Sequence, residues 1–115
     1  MSGSLPAPAR RPGRRLTVHC DTRDHSGRAS LVTELLQRAR RAGLAGATVF
    51  EAVAGFGASG RTHRTHLLSD DAPVTFVVVD TPERIDAFVE DVADLLTGVL
   101  VSIADVEIVG PGTPR

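Results

Sequence analysis

Apolar and polar positions change period several times along the chain, and each change marks an element. Leu16, Val18 and Cys20 alternate with Thr17, His19 and Asp21, a period of two that predicts a strand with one covered face. The stretch "TRDHSGR", residues 22–28, breaks that period and reads as a loop. From Ser30 onward Leu31, Val32, Leu35, Leu36 and Ala39 recur at helical spacing, with Arg38, Arg40 and Arg41 in the last turns and Gly43 as the terminator. "AGATVFEAVA", residues 45–54, is β-branched and aromatic and predicts a second strand. "PVTFVVVD", residues 73–80, is so uniformly apolar that it predicts a central strand covered on both faces. Thr81, Pro82 and Glu83 supply an N-cap, a first-turn proline and an early acid. Ile85, Phe88, Val89, Val92, Leu95 and Leu96 then predict a helix ending near Thr97-Gly98. "VSIADVEIV", residues 101–109, reads as a last strand with Val106 and Ile108 facing in and Asp105 and Glu107 facing out.

This order predicts an α+β fold, a ferredoxin-like βαββαβ sandwich with a four-stranded antiparallel sheet and two helices on one face. The other face has no helix, yet the second and third strands carry apolar residues at both parities: Val49 and Val53 against Phe50 and Ala52, Val77 and Val79 against Phe76 and Val78. A second copy of the chain is the simplest cover, which predicts a homo-oligomer. Residues 1–15 combine Pro, Gly and Ser with four arginines and read as a disordered tail, residues 16–110 as the folded domain, and residues 111–115 as a flexible end.

At 115 residues the chain fits one compact domain. A net charge of −1 and only four aromatics, all Phe, argue against a nucleic-acid partner and against a base-stacking sheet surface. Apolar runs such as Val77-Val78-Val79 are too short to span a bilayer and nothing near the start resembles a signal peptide, so the expected location is cytoplasmic. Cys20 is the single cysteine and reads as a small hydrophobe of the first strand. All 13 basic residues are arginine, so a phosphate would be met by guanidinium, hydroxyl or backbone N–H groups rather than by lysine. Asp86, Glu90, Asp91 and Asp94 read as the solvated stripe of the second helix.

Between the second and third strands lie eighteen residues, 55–72, without strong periodicity, a length that in a compact domain marks a functional or a disordered loop. Gly55, Phe56, Gly57, Ala58, Ser59 and Gly60 allow the backbone to turn several N–H groups toward one point, and Ser59, Arg61, Thr62, His63 and Arg64 add donors. Taken alone, this is either a plain connection or an anion loop.

"GLAGATVFEAVAGFGASGRTH", then "PVTFVVVDTPERI" and "GVLVSIADVEIV", resemble over residues 16–109 the family called domain of unknown function 190 (DUF190), which is similar to the PII signal-transduction proteins. The resemblance implies the same fold, a homotrimer, and a small anionic effector, with an adenine nucleotide as the candidate, held in clefts between subunits. It also implies that residues 55–72 form a T-loop reporting to a target protein such as a membrane transporter. Gly55, Phe56 and Gly57 match the base of that loop, and Ser59 and Arg61 keep donors beside it. Thr97 and Gly98 match the start of the B-loop, and His63, Arg64 and His66 become candidates for target contact. In place of the glycine-rich stretch with lysine that grips phosphate in PII proteins stands Val99-Leu100-Val101-Ser102. Tyrosine is absent, which sets uridylylation aside.

Two further readings stay open. One is a ligand-free structural or interaction subunit docking to a membrane transporter, favoured by the missing lysine. A weaker one is a metal-binding protein like the divalent-cation-tolerance relatives, using His63 and His66 three apart, with only Asp70 and Asp71, or the more distant His19 and His25, to complete a ligand set. No metal site is assigned, and no catalytic residues either. His19, Cys20 and Asp21 are consecutive, so on a strand only His19 and Asp21 share a face.

Overall fold

The computed structural model describes residues 8–21, 25–26, 29–51, 54–56, 62–64 and 73–110. Four strands, β1 (Arg10–Asp21), β2 (Ala47–Glu51), β3 (Pro73–Asp80) and β4 (Leu100–Val109), form one antiparallel sheet in the order β2-β3-β1-β4. Helix α1 (Leu31–Arg41) joins β1 to β2, and α2 (Pro82–Asp91) joins β3 to β4. This is the βαββαβ sandwich that the periodicity predicts. A small hairpin, His25–Ser26 against Ala29–Ser30, leads into α1.

Local chemistry sets the helix boundaries. The Ser30 hydroxyl accepts from the Thr33 N–H at 3.1 Å and caps α1. At its far end Gly43, with φ of 70°, lets its own N–H reach the Arg40 carbonyl at 3.1 Å and the Leu44 N–H reach the Ala39 carbonyl at 3.2 Å. Paired closing bonds of this kind end a helix at a left-handed residue, a conformation that only glycine adopts at little cost. Thr81 caps α2 by accepting from the Arg84 N–H at 3.3 Å, with Pro82 in the first turn.

The core lies between the helices and one face of the sheet. Leu16 and Val18 of β1 and Val74, Phe76 and Val78 of β3 are buried against Leu31, Leu35 and Ala39 of α1 and Ile85 and Phe88 of α2. The Phe76 and Phe88 rings stack with centroids 6.4 Å apart. Each large buried side chain contributes about 1.5–3 kcal/mol of transfer free energy, so this two-layer contact dominates the stability.

Four sequence expectations are revised. β1 begins at Arg10, so residues 10–15, expected in the tail, are strand; residues 1–7 lie outside the described residues. Arg10–Gly13 pair with β4 beyond the end of β3, which stops opposite Arg14, so Pro12 needs only one paired edge. The α-helical part of α2 stops at Asp91, and Ala93–Leu95 continue as a 3-10 turn. The tighter winding keeps Val92 and Leu95, three apart, both on the core side. Val106 and Ile108 face away from the helices: Val106 registers with Gly13, whereas Asp105 registers with Arg14 on the helix side. Gly13 leaves room there for Ile108, whose Cγ1 would lie 2.5 Å from an added Cβ and would have to shift.

The acidic stripe of α2 is not simply solvated. Arg14 Nη1 donates to both carboxylate oxygens of Asp86 at 2.8 Å, and its Nε donates to Asp105 Oδ1 at 3.0 Å. Arg38 of α1 donates to both oxygens of Asp94 at 3.0 and 3.2 Å, to the Asp91 carbonyl at 2.9 Å and to Glu34 at 3.1 Å. Hydrogen bonds from the guanidinium of Arg14 to Asp86 and Asp105 raise its pKa above an already high ordinary value, and bonds to Asp94 and Glu34 do the same for Arg38. A raised folded value means that the stabilisation is fully present below the unfolded value and is lost only as pH climbs through the folded one, so these clamps hold across the whole neutral range.

Candidate functional site

Three registers define one end of the sheet. β2 stops at Glu51 opposite Val74, β3 starts at Pro73 opposite Asp21, and β4 starts at Leu100 opposite His19. The glycine-rich segment after β2 and the Thr97–Gly98 turn before β4 therefore reach the sheet at the same end. They stand on its two opposite edges, separated by β3 and β1.

Beyond β2 the chain forms a short antiparallel ribbon, Ala54–Phe56 against Thr62–Arg64, with Ala54 opposite Arg64, Gly55 opposite His63 and Phe56 opposite Thr62. The stretch expected as a loop without regular structure thus contains a paired stem. Of its expected effector base, Gly55 stands opposite His63, an expected target contact, and Phe56 opposite Thr62. Gly57, Ser59, Arg61 and His66 lie outside the described residues. Thr97 and Gly98 are exposed in the turn, where Gly98 has φ of 81°.

Sequence reasoning missed a row of side chains at this end. Phe50, Thr75, His19 and Leu100 are successive partners across all four strands on the helix-free face. Phe50 and Leu100 are 56% and 55% exposed, and the His19 ring lies 3.5 Å from the Thr75 hydroxyl. Exposed large apolar residues on a face that no helix covers fit a surface completed by another chain. The parity of Phe50 was visible in the sequence, whereas its alignment with His19 and Leu100 depends on non-local register. Asp21 is buried at the end of β1, 8% exposed.

The end supplies hydroxyls, an imidazole, turn amides and apolar contact. Among the described residues no three His, Cys, Asp or Glu side chains gather as a metal site. A separate groove of about 460 Å³ runs along α1 and is lined by Leu36, Ala39, Arg40, Leu44 and Ala47 among others, none of them a residue singled out for effector binding. No described helix is long and apolar enough to cross a membrane.

The fold is that of PII-like proteins. The PII-like protein CPII from Thiomonas intermedia K12, in a structure bound to ADP and bicarbonate, superposes with a TM-score of 0.65 at 21% identity over 91% of this chain and 96% of its own. A PII-like signaling protein from Thermus thermophilus gives 0.58 at 14% identity over 87% and 91%. In sequence, residues 13–108 match the model of the DUF190 family, described as "Uncharacterized ACR", and the chain belongs to that family. A UPF0166 protein of Aquifex aeolicus (strain VF5) is 39% identical over 77 residues, 65% of this chain and 72% of its own.

Proposed function

We propose that the chain is a PII-like regulatory protein, acting in the cytoplasm as a homotrimer. It binds a small anionic effector, an adenine nucleotide, in clefts between subunits and signals to a target protein through residues 55–72. The observation that carries this reading is the placement of the Gly55-Phe56 stem and the Thr97–Gly98 turn at the same end of the sheet, on its opposite edges, where a neighbouring subunit can bring one chain's stem to another's turn. Support comes from the same fold in CPII, whose structures are described with ADP, AMP and bicarbonate bound. In this reading Gly55, Phe56 and Gly57 bring backbone close to the effector, and Ser59, Arg61 and Thr97 donate to its phosphates. Gly98 provides the positive-φ turn of the B-loop, while His63, Arg64 and His66 meet the target. The role is regulatory and not catalytic.

Titration calorimetry with ADP, AMP, ATP and cyclic AMP tests it. Saturable heat from one of them, lost in Gly55→Glu, is the expected result; no heat from any overturns the nucleotide assignment. A second reading, a ligand-free subunit that docks to a membrane transporter, is favoured by exposed Leu100 standing where PII proteins place their phosphate-gripping segment. A crystal structure grown with ADP, showing the intersubunit cleft filled by the protein's own side chains, would select it.

A further inference from the structure

The helix-free face of the sheet is apolar but not neutral. Arg15 projects from interior strand β1, between Val79 of β3 and Ala104 of β4, and is exposed. Two residues on, Thr17 lies on the same face with Val77 and Ser102 as its cross-strand partners. Among the described residues, none of Arg15, Thr17 and Ser102 has a side-chain partner.

The nearest acids stand on the other face. Asp80 and Asp105 both register with Arg14, and Glu107 registers with Pro12. Arg11 and His19 share the face of Arg15, and the one acid on it among the described sheet residues, Asp21, ends β1 six positions along, roughly 20 Å away at strand spacing. The centre of the face therefore holds a guanidinium and two hydroxyls without an anionic partner among the described residues.

A second copy seated on this face brings the same residues, so guanidinium would meet guanidinium as water leaves. A buried cation without a counter-charge is costly, and arginine cannot shed its proton. We propose that copies facing one another hold a small inorganic oxyanion, phosphate or sulfate, between Arg15, Thr17 and Ser102 of each contributing chain. This inference rests on the self-assembly proposed above. The guanidinium fork fits two oxygens of such an anion, and the two hydroxyls supply further donors. The site is distinct from the effector end, since Arg15 stands four positions along β1 from His19.

Thermal melts and native mass spectrometry of the full chain in chloride, sulfate and phosphate at matched ionic strength test it, with Arg15→Leu and the milder Arg15→Gln beside the wild type. The wild-type melting temperature should rise by about 5 °C, saturating with phosphate or sulfate. Arg15→Leu should assemble in chloride at least as well as the wild type, show no oxyanion response and keep its heat with ADP. Thr17→Val with Ser102→Ala should weaken the response. An oligomer indifferent to oxyanions, or a full response in both Arg15 variants, overturns the site while leaving the assembly intact. A response abolished by saturating ADP but kept by Arg15→Leu places the anion at the effector end and overturns the site too. A monomer in every buffer overturns both the site and the assembly.

Discussion

The two ends of the sheet are built in opposite ways. At the Asp80 end every connection is tied down. Asp80, 5% exposed, accepts from the Ala45 N–H at 2.9 Å and the Thr81 N–H at 2.7 Å, and Arg84 Nη2 closes on the Gly43 carbonyl at 2.6 Å. At the other end Phe50, Leu100, Thr97 and Gly98 stand exposed, and the chain leaves the sheet into the paired ribbon. One end closes the fold on itself, while the other leaves its apolar and polar groups for something else to complete. Local opening costs least where few buried contacts and bonds resist it, which is where an effector-responsive segment belongs.

The contrast can be broken most severely at Asp80. Asp80→Ala leaves two part-buried N–H groups without their acceptor and should cost about 2–4 kcal/mol in urea unfolding; a loss below about 0.5 kcal/mol would mean that the closed end is not what holds the fold. Gly13→Ala should cost about 1–3 kcal/mol, because Ile108 Cγ1 sits 2.5 Å from the new Cβ, and repacking with Ile108→Ala should recover part of it. Gly98→Ala, at φ of 81° but with open space around the new Cβ, should cost about 1 kcal/mol and weaken effector heat more than stability. Phe50→Ser and Leu100→Ser should each change monomer stability by less than about 0.5 kcal/mol. They should nevertheless weaken self-association about tenfold or more in sedimentation equilibrium, given the apolar area each would bury. Arg38→Gln should lower the melting point slightly, and the difference should shrink in 1 M salt, because the Asp94 carboxylate faces solvent.

Much of this was legible from periodicity. Val74, Phe76 and Val78 announce an interior strand, and Ser30 with Gly43 brackets α1 at both ends, because capping and burial patterns are local. What escaped was set by distant register. The strand character of Arg10–Arg15 is hidden by four arginines, Pro12 and Gly13, and becomes visible only once β4 pairs with it. Likewise Val106 and Ile108 read correctly as one face of a strand, but which face depended on Gly13 lying opposite Val106. At the open end the sequence marked Gly55, Phe56, Thr97 and Gly98, yet the ribbon that sets Gly55 against His63 involves residues with little strand signature of their own. The clamps of Arg14 and Arg38 on α2 were invisible for the same reason, since helical spacing says nothing about which arginine another element brings over.

The pairing of β1 with β4 also governs the order of events in synthesis. Strand β1 is made first and β4 last, yet they are partners from His19–Leu100 to Arg10–Val109. A chain emerging from the ribosome can form α1, β2, β3 and α2 while β1 still lacks its second neighbour. Contacts between segments about ninety residues apart raise contact order and slow folding. A released chain truncated after residue 99 should therefore remain protease-sensitive and prone to association through the vacant edge of β1, whereas the chain carrying residues 100–109 should be resistant.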